Sequence, residues 1–163
     1  MKSDRPVFEA RDPGYAARIR ESFARQNAMM LIGARLEAVA PGFTEIHLPC
    51  TDALTQQHGY IHGGIVGMIA DSAAGYAAGS LTDADTGVLT VEYKINLVAP
   101  AVGDMLVARG TVIRPGRTLL ITRADVFAVR GATWTLCATM QQTIMAIPGK
   151  QENAAPRLAQ RAG

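Results

Sequence analysis

The sequence predicts an α+β domain in which one curved antiparallel β-sheet wraps around a long central helix. Three observations carry this prediction. Strand-like runs separated by short turn signals fill most of the second half of the chain. The segment 63–78 is rich in Ala, Ile and Met and is apolar on nearly every side, which a helix tolerates only when other elements surround it. A sheet with one free face needs a cover, and this helix is the segment apolar enough to supply it.

Length and composition favour a single domain. The chain has 163 residues, of which 48% are hydrophobic and 18% are charged, and this is ordinary for a globular protein with one core. The tail after Pro148 holds three basic residues and one acidic residue, which accounts for the net charge of +2. The remainder is close to neutral and has no basic stripe of the kind that binds nucleic acid.

Cys50 and Cys137 are too few and too far apart for a disulfide framework. The N-terminal segment lacks the apolar core of a signal peptide, and no apolar run is long enough to span a bilayer. We therefore expect a cytoplasmic protein without a membrane or nucleic-acid partner. We place one domain at residues 14–148, between an N-terminal extension at 1–13 that we expect to be flexible and a polar tail at 149–163 that we expect to be disordered.

The first half of the chain contains signals for two helices and a hairpin. Residues 14–31 place apolar side chains at roughly helical intervals and Gly33 supplies a stop, so we predict one amphipathic helix there. Alternating side chains on both sides of Pro41 and Gly42 are typical of a β-hairpin. The central helix at 63–78 would be about 24 Å long.

The second half contains four strand-like runs, VLTVEYKINLVAP, DMLVARGTVIRP, TLLITRADVFAVRG and ATWTLCATMQQTIMAIP. The segments between them, at 100–103, 115–116 and 130–131, are short enough to be hairpins. We therefore predict a four-strand meander that joins the earlier hairpin in one antiparallel sheet.

The start of the central helix lacks the usual capping residue. A helix N-terminus normally recruits Ser, Thr, Asp or Asn to satisfy its first N–H groups, whereas here His62 precedes Gly63 and Gly64. Open N–H groups at the positive end of a helix dipole are suited to hold a carbonyl oxygen that becomes negative during a reaction. Two glycines that merely form a tight turn would explain the same residues, and the sequence leaves both interpretations open.

Asp71 lies in the interior of the predicted helix, where Asp is a poor helix former and burial of charge is costly. Gly67 and Gly75 stand four residues away on either side, so the helix face around Asp71 is bare. Partial desolvation would suit the carboxylate for work as a general base or nucleophile. A buried Asp held by local hydrogen bonds is the alternative, and the flanking glycines favour the functional interpretation.

The spacing of Gly63 and Asp71 has a geometric consequence. Eight residues of helix separate the two groups by about 12 Å, whereas a general base must lie within hydrogen-bond reach of the atom on which it acts. One chain therefore cannot present both groups to one substrate. If they act together, two copies must pack with antiparallel central helices and share two equivalent sites in a two-fold dimer.

Other site chemistries have weaker support. His58 and His62 have a zinc-binding spacing, but the glycines around them indicate a loop and no Cys or carboxylate stands at a matching distance. We therefore expect no metal, and we expect His62 to support the loop or to contact the substrate. Ser72 lacks the context of a nucleophile, and Cys137 alternates within a strand as a small core residue does.

The segment QQHGYIHGGIVGMIADSAAGYAA, followed by GVLTVEYKINLVAPA and the RPGRT turn, closely resembles the PaaI-type acyl-CoA thioesterases of the hotdog fold. The resemblance covers about residues 23–145, and its most specific part is the HGG-x6-D spacing from His62 to Asp71. It implies a helix enclosed by the sheet, dimers that pair into a homotetramer, and hydrolysis of coenzyme A thioesters without a metal or other cofactor.

The resemblance also implies roles for individual residues. Gly63 would polarise the thioester carbonyl, and Asp71 of the partner subunit would activate water or attack directly. Thr90 falls where several members of the family have Ser, and it keeps a hydrogen-bond donor there. His62 matches the family's histidine. Gln56 stands where many members have Asn to position the nucleophile, and this departure leaves its role open.

The remaining expectations concern substrate binding. Gly64 and His58 are expected beside the substrate, and Lys94, Arg114 and Arg117 are expected to meet the phosphates of coenzyme A. Ordinary solvated charges explain the same three cations equally well. A non-catalytic acyl-CoA-binding or regulatory module is the alternative function, followed by an enoyl-CoA hydratase, which would need a His after the Asp. The sequence leaves the acyl group open among small aryl, short and medium-chain groups.

Overall fold

The computed structural model describes residues 7–150, and residues 1–6 and 151–163 lie outside that description. In chain order the elements are α1 (Tyr15–Ala24), α2 (Asn27–Ile32), β1 (Arg35–Ala40), β2 (Phe43–Pro49), a 3-10 helix (Asp52–Leu54), α3 (Gly63–Gly79), β3 (Thr86–Leu97), β4 (Met105–Pro115), β5 (Leu119–Arg130) and β6 (Thr133–Pro148). The six strands form one antiparallel sheet in the order β1-β2-β4-β5-β6-β3. A single sheet with one long helix confirms the predicted fold class.

Helix α3 packs against the sheet and forms the centre of the core. Ile69, Ala70 and Ala73 are fully buried, and the small side chains allow the sheet to come close. A Cβ atom at Gly110 of β4 would lie 2.2 Å from the Ala73 carbonyl oxygen, so only glycine permits this approach. The predicted helix at 63–78 is confirmed and ends one residue later, at Gly79. Between residues 7 and 150, no helix is long and apolar enough to cross a membrane.

The prediction of a single N-terminal helix is wrong in one respect, because the chain forms two helices. Helix α1 ends at Ala24 and α2 begins at Asn27, with Gln26 between them in an extended conformation (φ −75°, ψ 92°). Just before the break, the Phe23 ring packs edge-on against Tyr76, with 5.7 Å between centroids. No Gly or Pro marks the break, so periodicity alone could not locate it.

The predicted meander is wrong at its first connection. Residues 98–104 do not form a hairpin; they carry the chain across the sheet, so β4 pairs with β2 and β5 while β3 pairs with β6 at the sheet edge. The hairpins predicted at 115–116 and 130–131 are confirmed, as is the hairpin at Pro41 and Gly42, where Gly42 has a φ of +72°. A local pattern identifies a strand but not its partner, and this explains the error.

Residues 7–13 contact the body of the domain. The Phe8 ring lies against Gly42, and the buried Arg18 side chain binds Asp12 at 2.9 Å as well as the carbonyl oxygens of Gly79 and Thr82 at 3.2 Å. A cation at this point stabilises the C-terminal end of α3. The predicted flexibility of residues 1–13 and the predicted disorder of residues 149–163 fall largely on residues 1–6 and 151–163, which lie outside the described residues, and both stay predictions.

Candidate active site

The N-terminus of α3 presents one open backbone N–H group. His62 is the N-cap, and its Nδ1 atom accepts a 2.9 Å hydrogen bond from the Gly64 N–H, while its carbonyl oxygen accepts bonds from Ile65 (2.9 Å) and Val66 (3.1 Å). The ring proton of neutral His62 is thereby placed on Nε2. Within the described residues, the Gly63 N–H has no hydrogen-bond partner. The open donor that we expected at both glycines is therefore found at Gly63, and the N–H of Gly64 is occupied.

Gly63 opens on a cavity of about 360 Å³, which we call the Gly63 cavity. Its walls are mostly apolar and include Tyr60, Ile61, Val66 and residues 97–101. Gln56 is the amide side chain in this wall, and its Oε1 atom accepts a hydrogen bond from the His58 N–H. The Nε2 group of Gln56 has no partner in the described part of the chain. Gln56 is therefore oriented as a donor beside the open N–H of Gly63.

Cys137 also lines the Gly63 cavity, but its properties are those of a core residue. The side chain is buried, its Sγ atom donates a 3.3 Å hydrogen bond to the Val126 carbonyl oxygen, and burial raises the pKa of Cys137 to about 11. The reactive form of cysteine is the thiolate, so Cys137 is not prepared to act as a nucleophile. This confirms its prediction as a small core residue.

The carboxylate of Asp71 is held by two side chains on adjacent strands. The Thr90 hydroxyl on β3 donates a 2.7 Å hydrogen bond to Asp71 Oδ1. Gln142 Nε2 on β6 donates to the same oxygen and, at 2.9 Å, to Thr90 Oγ1. The other oxygen, Oδ2, has no hydrogen-bond partner among residues 7–150. Asp71 is partly exposed, so Oδ2 can meet a water molecule or a substrate.

Gln142 is a site residue that sequence reasoning missed. It is 1% exposed, and its Oε1 atom accepts a 3.3 Å hydrogen bond from the Thr122 hydroxyl, which directs Nε2 to the Asp71 carboxylate. A signal was present in the sequence. Gln142 stands between Met140 and Ile144 in the row of β6 that faces the core, and a buried amide in such a row must find polar partners.

Asp71 lines a second cavity of about 190 Å³, the Asp71 cavity, which shares no lining residue with the Gly63 cavity. Thr90 and Ser72 also lie in its wall, and the Ser72 hydroxyl bonds to Gln26 Oε1 at 3.4 Å. The two groups that were expected to act together thus belong to separate cavities of one chain. This agrees with the separation of about 12 Å that helix geometry gives.

The structure does not bring the other predicted binding residues into either cavity. His58 is exposed in the loop before α3, and Lys94 bonds to Asn96 on the edge strand β3. Arg114 lies near the end of β4, and Arg117 lies in the turn between β4 and β5. Arg117 lines a third cavity beside Thr82, past the C-terminal end of α3, and that end lies about 24 Å along the helix from Gly63. No group of three or more His, Cys, Asp or Glu side chains suited to a metal occurs within residues 7–150.

Comparison with known proteins finds similarity over the same region of the chain. A family model described as the thioesterase superfamily matches residues 58–135, from the loop before α3 to the first part of β6. A candidate esterase of Saccharolobus solfataricus is 29% identical to the chain over 120 residues, which cover 74% of this chain and 77% of that protein.

Two solved structures extend the likeness to the fold. A thioesterase family protein from Silicibacter pomeroyi is 47% identical, covers 83% of this chain and 100% of its own, and superposes with a TM-score of 0.82. The PaaI protein of the E. coli phenylacetic acid degradation operon is 18% identical, covers 84% of this chain and 96% of its own, and has a TM-score of 0.76. The second likeness concerns the fold alone.

Proposed function

The chain belongs to the thioesterase superfamily and is a thioester hydrolase with the hotdog fold of the PaaI type, and we propose that its substrates are acyl-CoA thioesters, which it converts to the free acid and coenzyme A. The observation that carries this proposal is the presence of two complementary groups on α3. Gly63 offers an open N–H donor for a carbonyl oxygen, and Asp71 offers a carboxylate with one free oxygen. Thioester hydrolysis needs both kinds of group.

We assign the carbonyl oxygen of the thioester to the donors of the Gly63 cavity. The Gly63 N–H lies at the positive end of the α3 dipole, and the Nε2 group of Gln56 stands in the same wall. Two donors fixed before the reaction stabilise the negative charge that develops on this oxygen. His62 supports the arrangement, because its imidazole occupies the N–H of Gly64 and fixes the first turn of the helix.

Asp71 supplies the reacting carboxylate, and two routes remain open. As a general base, Oδ2 takes a proton from a water molecule whose oxygen attacks the carbonyl carbon; the C–S bond then breaks and the coenzyme A thiolate takes up the proton. As a nucleophile, Oδ2 displaces the thiolate and forms a mixed anhydride, which water then cleaves. Both routes need Oδ2 free, and Thr90 and Gln142 bind only Oδ1.

We propose that the site is shared between two copies of the chain. The edge strand β3 exposes Leu89, Val91 and Leu97, which are 46%, 56% and 57% exposed. An edge strand with exposed apolar side chains is a template for pairing with another strand. Pairing of two β3 strands would place two copies of α3 side by side, so that Gly63 of one copy could face Asp71 of the partner subunit.

Several finer expectations are carried forward as part of the proposal. These are the pairing of dimers into a homotetramer, the cytoplasmic location, and the contacts of His58, Lys94, Arg114 and Arg117 with the substrate. The separation of Arg117 from Gly63 within one chain means that its contact with coenzyme A would depend on a second subunit.

The proposal is tested by thiol release from aryl, short-chain and medium-chain acyl-CoA, with the wild type and Asp71→Asn. We expect wild-type turnover that survives a metal chelator, and a loss of about a thousandfold in Asp71→Asn, because general acid–base catalysis contributes about 10² to 10⁴ in rate. Undiminished turnover by Asp71→Asn would refute the assigned role of the carboxylate. Tight binding of acyl-CoA without thiol release by the wild type would instead indicate a binding module.

A further inference from the structure

The Asp71 cavity runs along α3 toward the C-terminal end of the helix. Asp71 and Thr90 lie at one end, and Gly75 and Tyr76 line the part beyond them. The four residues from Asp71 to Gly75 span one helical turn, or about 6 Å. A group bound with its reacting carbon at the carboxylate would therefore extend over Gly75.

Within one chain, Gly75 is not required by the backbone or by close packing. A Cβ atom added there would have no neighbour within 4 Å, and its φ is not in the left-handed region. Gly110 is the contrasting case, since its missing side chain makes room for the Ala73 carbonyl. Glycine in a helix interior is less stable than alanine, so the bare backbone at Gly75 has a cost that packing within one chain does not explain. The free space beside it belongs to the Asp71 cavity.

The wall beyond Gly75 is held firmly in place. Tyr76 is 5% exposed, its ring packs edge-on against Phe23, and its hydroxyl lies 3.3 Å from Ser22 Oγ. Ile144, which is fully buried, adds an apolar side to the same cavity. A wall fixed by aromatic packing and a hydrogen bond cannot easily move aside for a longer ligand.

We propose that Gly75 determines which acyl groups the enzyme accepts, by leaving room for the acyl group to lie along α3 from Asp71 to Tyr76. This inference rests on the proposed acyl-CoA hydrolysis. The cavity of about 190 Å³ beside Asp71 has room for a compact acyl group, and a side chain at position 75 would shorten the group that fits.

The experiment measures kcat/KM for straight-chain acyl-CoA from acetyl to decanoyl with Gly75→Ala, Gly75→Val and Gly75→Leu. We expect Gly75→Val to keep kcat/KM for acetyl-CoA within about threefold of the wild-type value and to lower kcat/KM for octanoyl-CoA by about thirtyfold or more. Gly75→Leu should have a larger effect. The reason is that misfit in an apolar pocket changes rates by about 10-fold to 200-fold. Gly75→Ala favours the helix and keeps the test valid if the larger variants do not fold.

Gly67→Val is the matched control, because Gly67 lies one turn from Asp71 on the other side, outside the Asp71 cavity, and a Cβ there would meet only the Tyr93 hydroxyl at 3.9 Å. We expect it to leave the dependence on chain length unchanged.

The inference would be overturned if Gly75→Val lowered kcat/KM by the same factor at every chain length, so that the length profile stayed that of the wild type. It would also be overturned if the variant dissociated the oligomer and kept the wild-type profile. If the wild type released no thiol, the proposed function would fail, and equilibrium binding of the same acyl-CoA series to the same variants would then decide the role of Gly75.

Discussion

The buried amide of Gln142 donates a hydrogen bond to the carboxylate of Asp71, although the two residues are 71 positions apart in the chain. The same amide nitrogen reaches Thr90 Oγ1 at 2.9 Å, and Thr90 in turn donates to Asp71 at 2.7 Å. Three side chains from α3, β3 and β6 thus form a closed set of hydrogen bonds. The set fixes the direction of one carboxylate oxygen and leaves the other exposed to the cavity.

Replacement of Gln142 by Met should lower kcat more than it raises KM. Methionine keeps the volume but removes both donated hydrogen bonds, and bonds to charged groups contribute about 1.5–3 kcal/mol, so we expect kcat to fall about 10-fold to 100-fold. Gln141→Met is the control, because Gln141 is the neighbouring residue of β6 and is exposed. An effect on KM alone, or equal losses in both variants, would argue against a positioning role for Gln142.

Replacement of Gly63 by Pro should remove the proposed oxyanion donor while the helix remains intact. Proline is well tolerated at the first position of a helix, and His62 already has the extended conformation (φ −59°, ψ 135°) that a residue before proline adopts. Loss of one such donor costs about 10² to 10³ in kcat. Gly63→Ala is the matched control: both variants place a Cβ near Leu97 Cδ1, at 2.9 Å before adjustment, but alanine keeps the N–H. Similar kcat values for the two variants would remove Gly63 from the mechanism.

A mixture of Asp71→Asn and Gly63→Pro chains should recover activity that neither variant has alone. In a shared site, the mixed dimer combines the intact Gly63 of one chain with the intact Asp71 of the partner subunit. After dissociation and random reassembly of equal amounts, half of the dimers are mixed, and each mixed dimer has one working site out of two. We therefore expect about a quarter of wild-type activity. No recovery, with mixed dimers shown to be present, would mean that each chain builds its own site.

The outer face of the sheet should contribute a stability that depends on pH. Glu45 accepts a 2.7 Å hydrogen bond from Arg109 Nε, and its other oxygen lies 2.7 Å from His47 Nε2. Burial opposes ionisation, but the bonds from Arg109 and His47 outweigh it and lower the pKa of Glu45. The stabilisation is therefore present above the unfolded-state value of about 4.3 and disappears as the pH falls through the folded-state pKa.

Glu45→Gln should accordingly reduce the free energy of unfolding by about 1 kcal/mol near pH 7, with the difference from the wild type vanishing at strongly acidic pH. Denaturant unfolding at a series of pH values measures this difference. Glu21→Gln, a change at an exposed carboxylate, controls for the loss of one negative charge. A difference that persisted unchanged to low pH would show that the contribution of Glu45 is not electrostatic.

The elements with strong local signals were predictable from the sequence. Pro41 and Gly42 supply turn chemistry, and the uniformly apolar segment of α3 has only one arrangement that buries it. The break at Gln26 and the crossover after β3 have no comparable signal, because each depends on tertiary partners. Phe23 of α1 packs on Tyr76 of α3, and β3 pairs with β6, the last strand in the chain.

The site was predictable where its chemistry is visible in the chain. An Asp between two glycines and a helix start without a capping residue led to Asp71 and Gly63. The hydrogen-bond donor at Thr90 was implied by the family resemblance, whereas the contact of Gln142 required the register of β3 against β6, which pairs Thr90 with Ile144, two residues from Gln142. The occupied N–H of Gly64 could not be foreseen either, because it depends on the rotamer of His62.

The position of β3 at the sheet edge also governs when the site can come into existence. During synthesis, α3 and β3 leave the ribosome well before β6, the strand with which β3 pairs, and Thr90 must wait for Gln142, 52 residues later. Contacts so distant in the chain form late and slowly. A nascent chain that ends before β6 would present the apolar side chains of β3 without a sheet to join, and such exposed surfaces are what chaperones bind. The carboxylate of Asp71 therefore acquires its hydrogen bond from Gln142 in the same folding event that pairs β3 with β6.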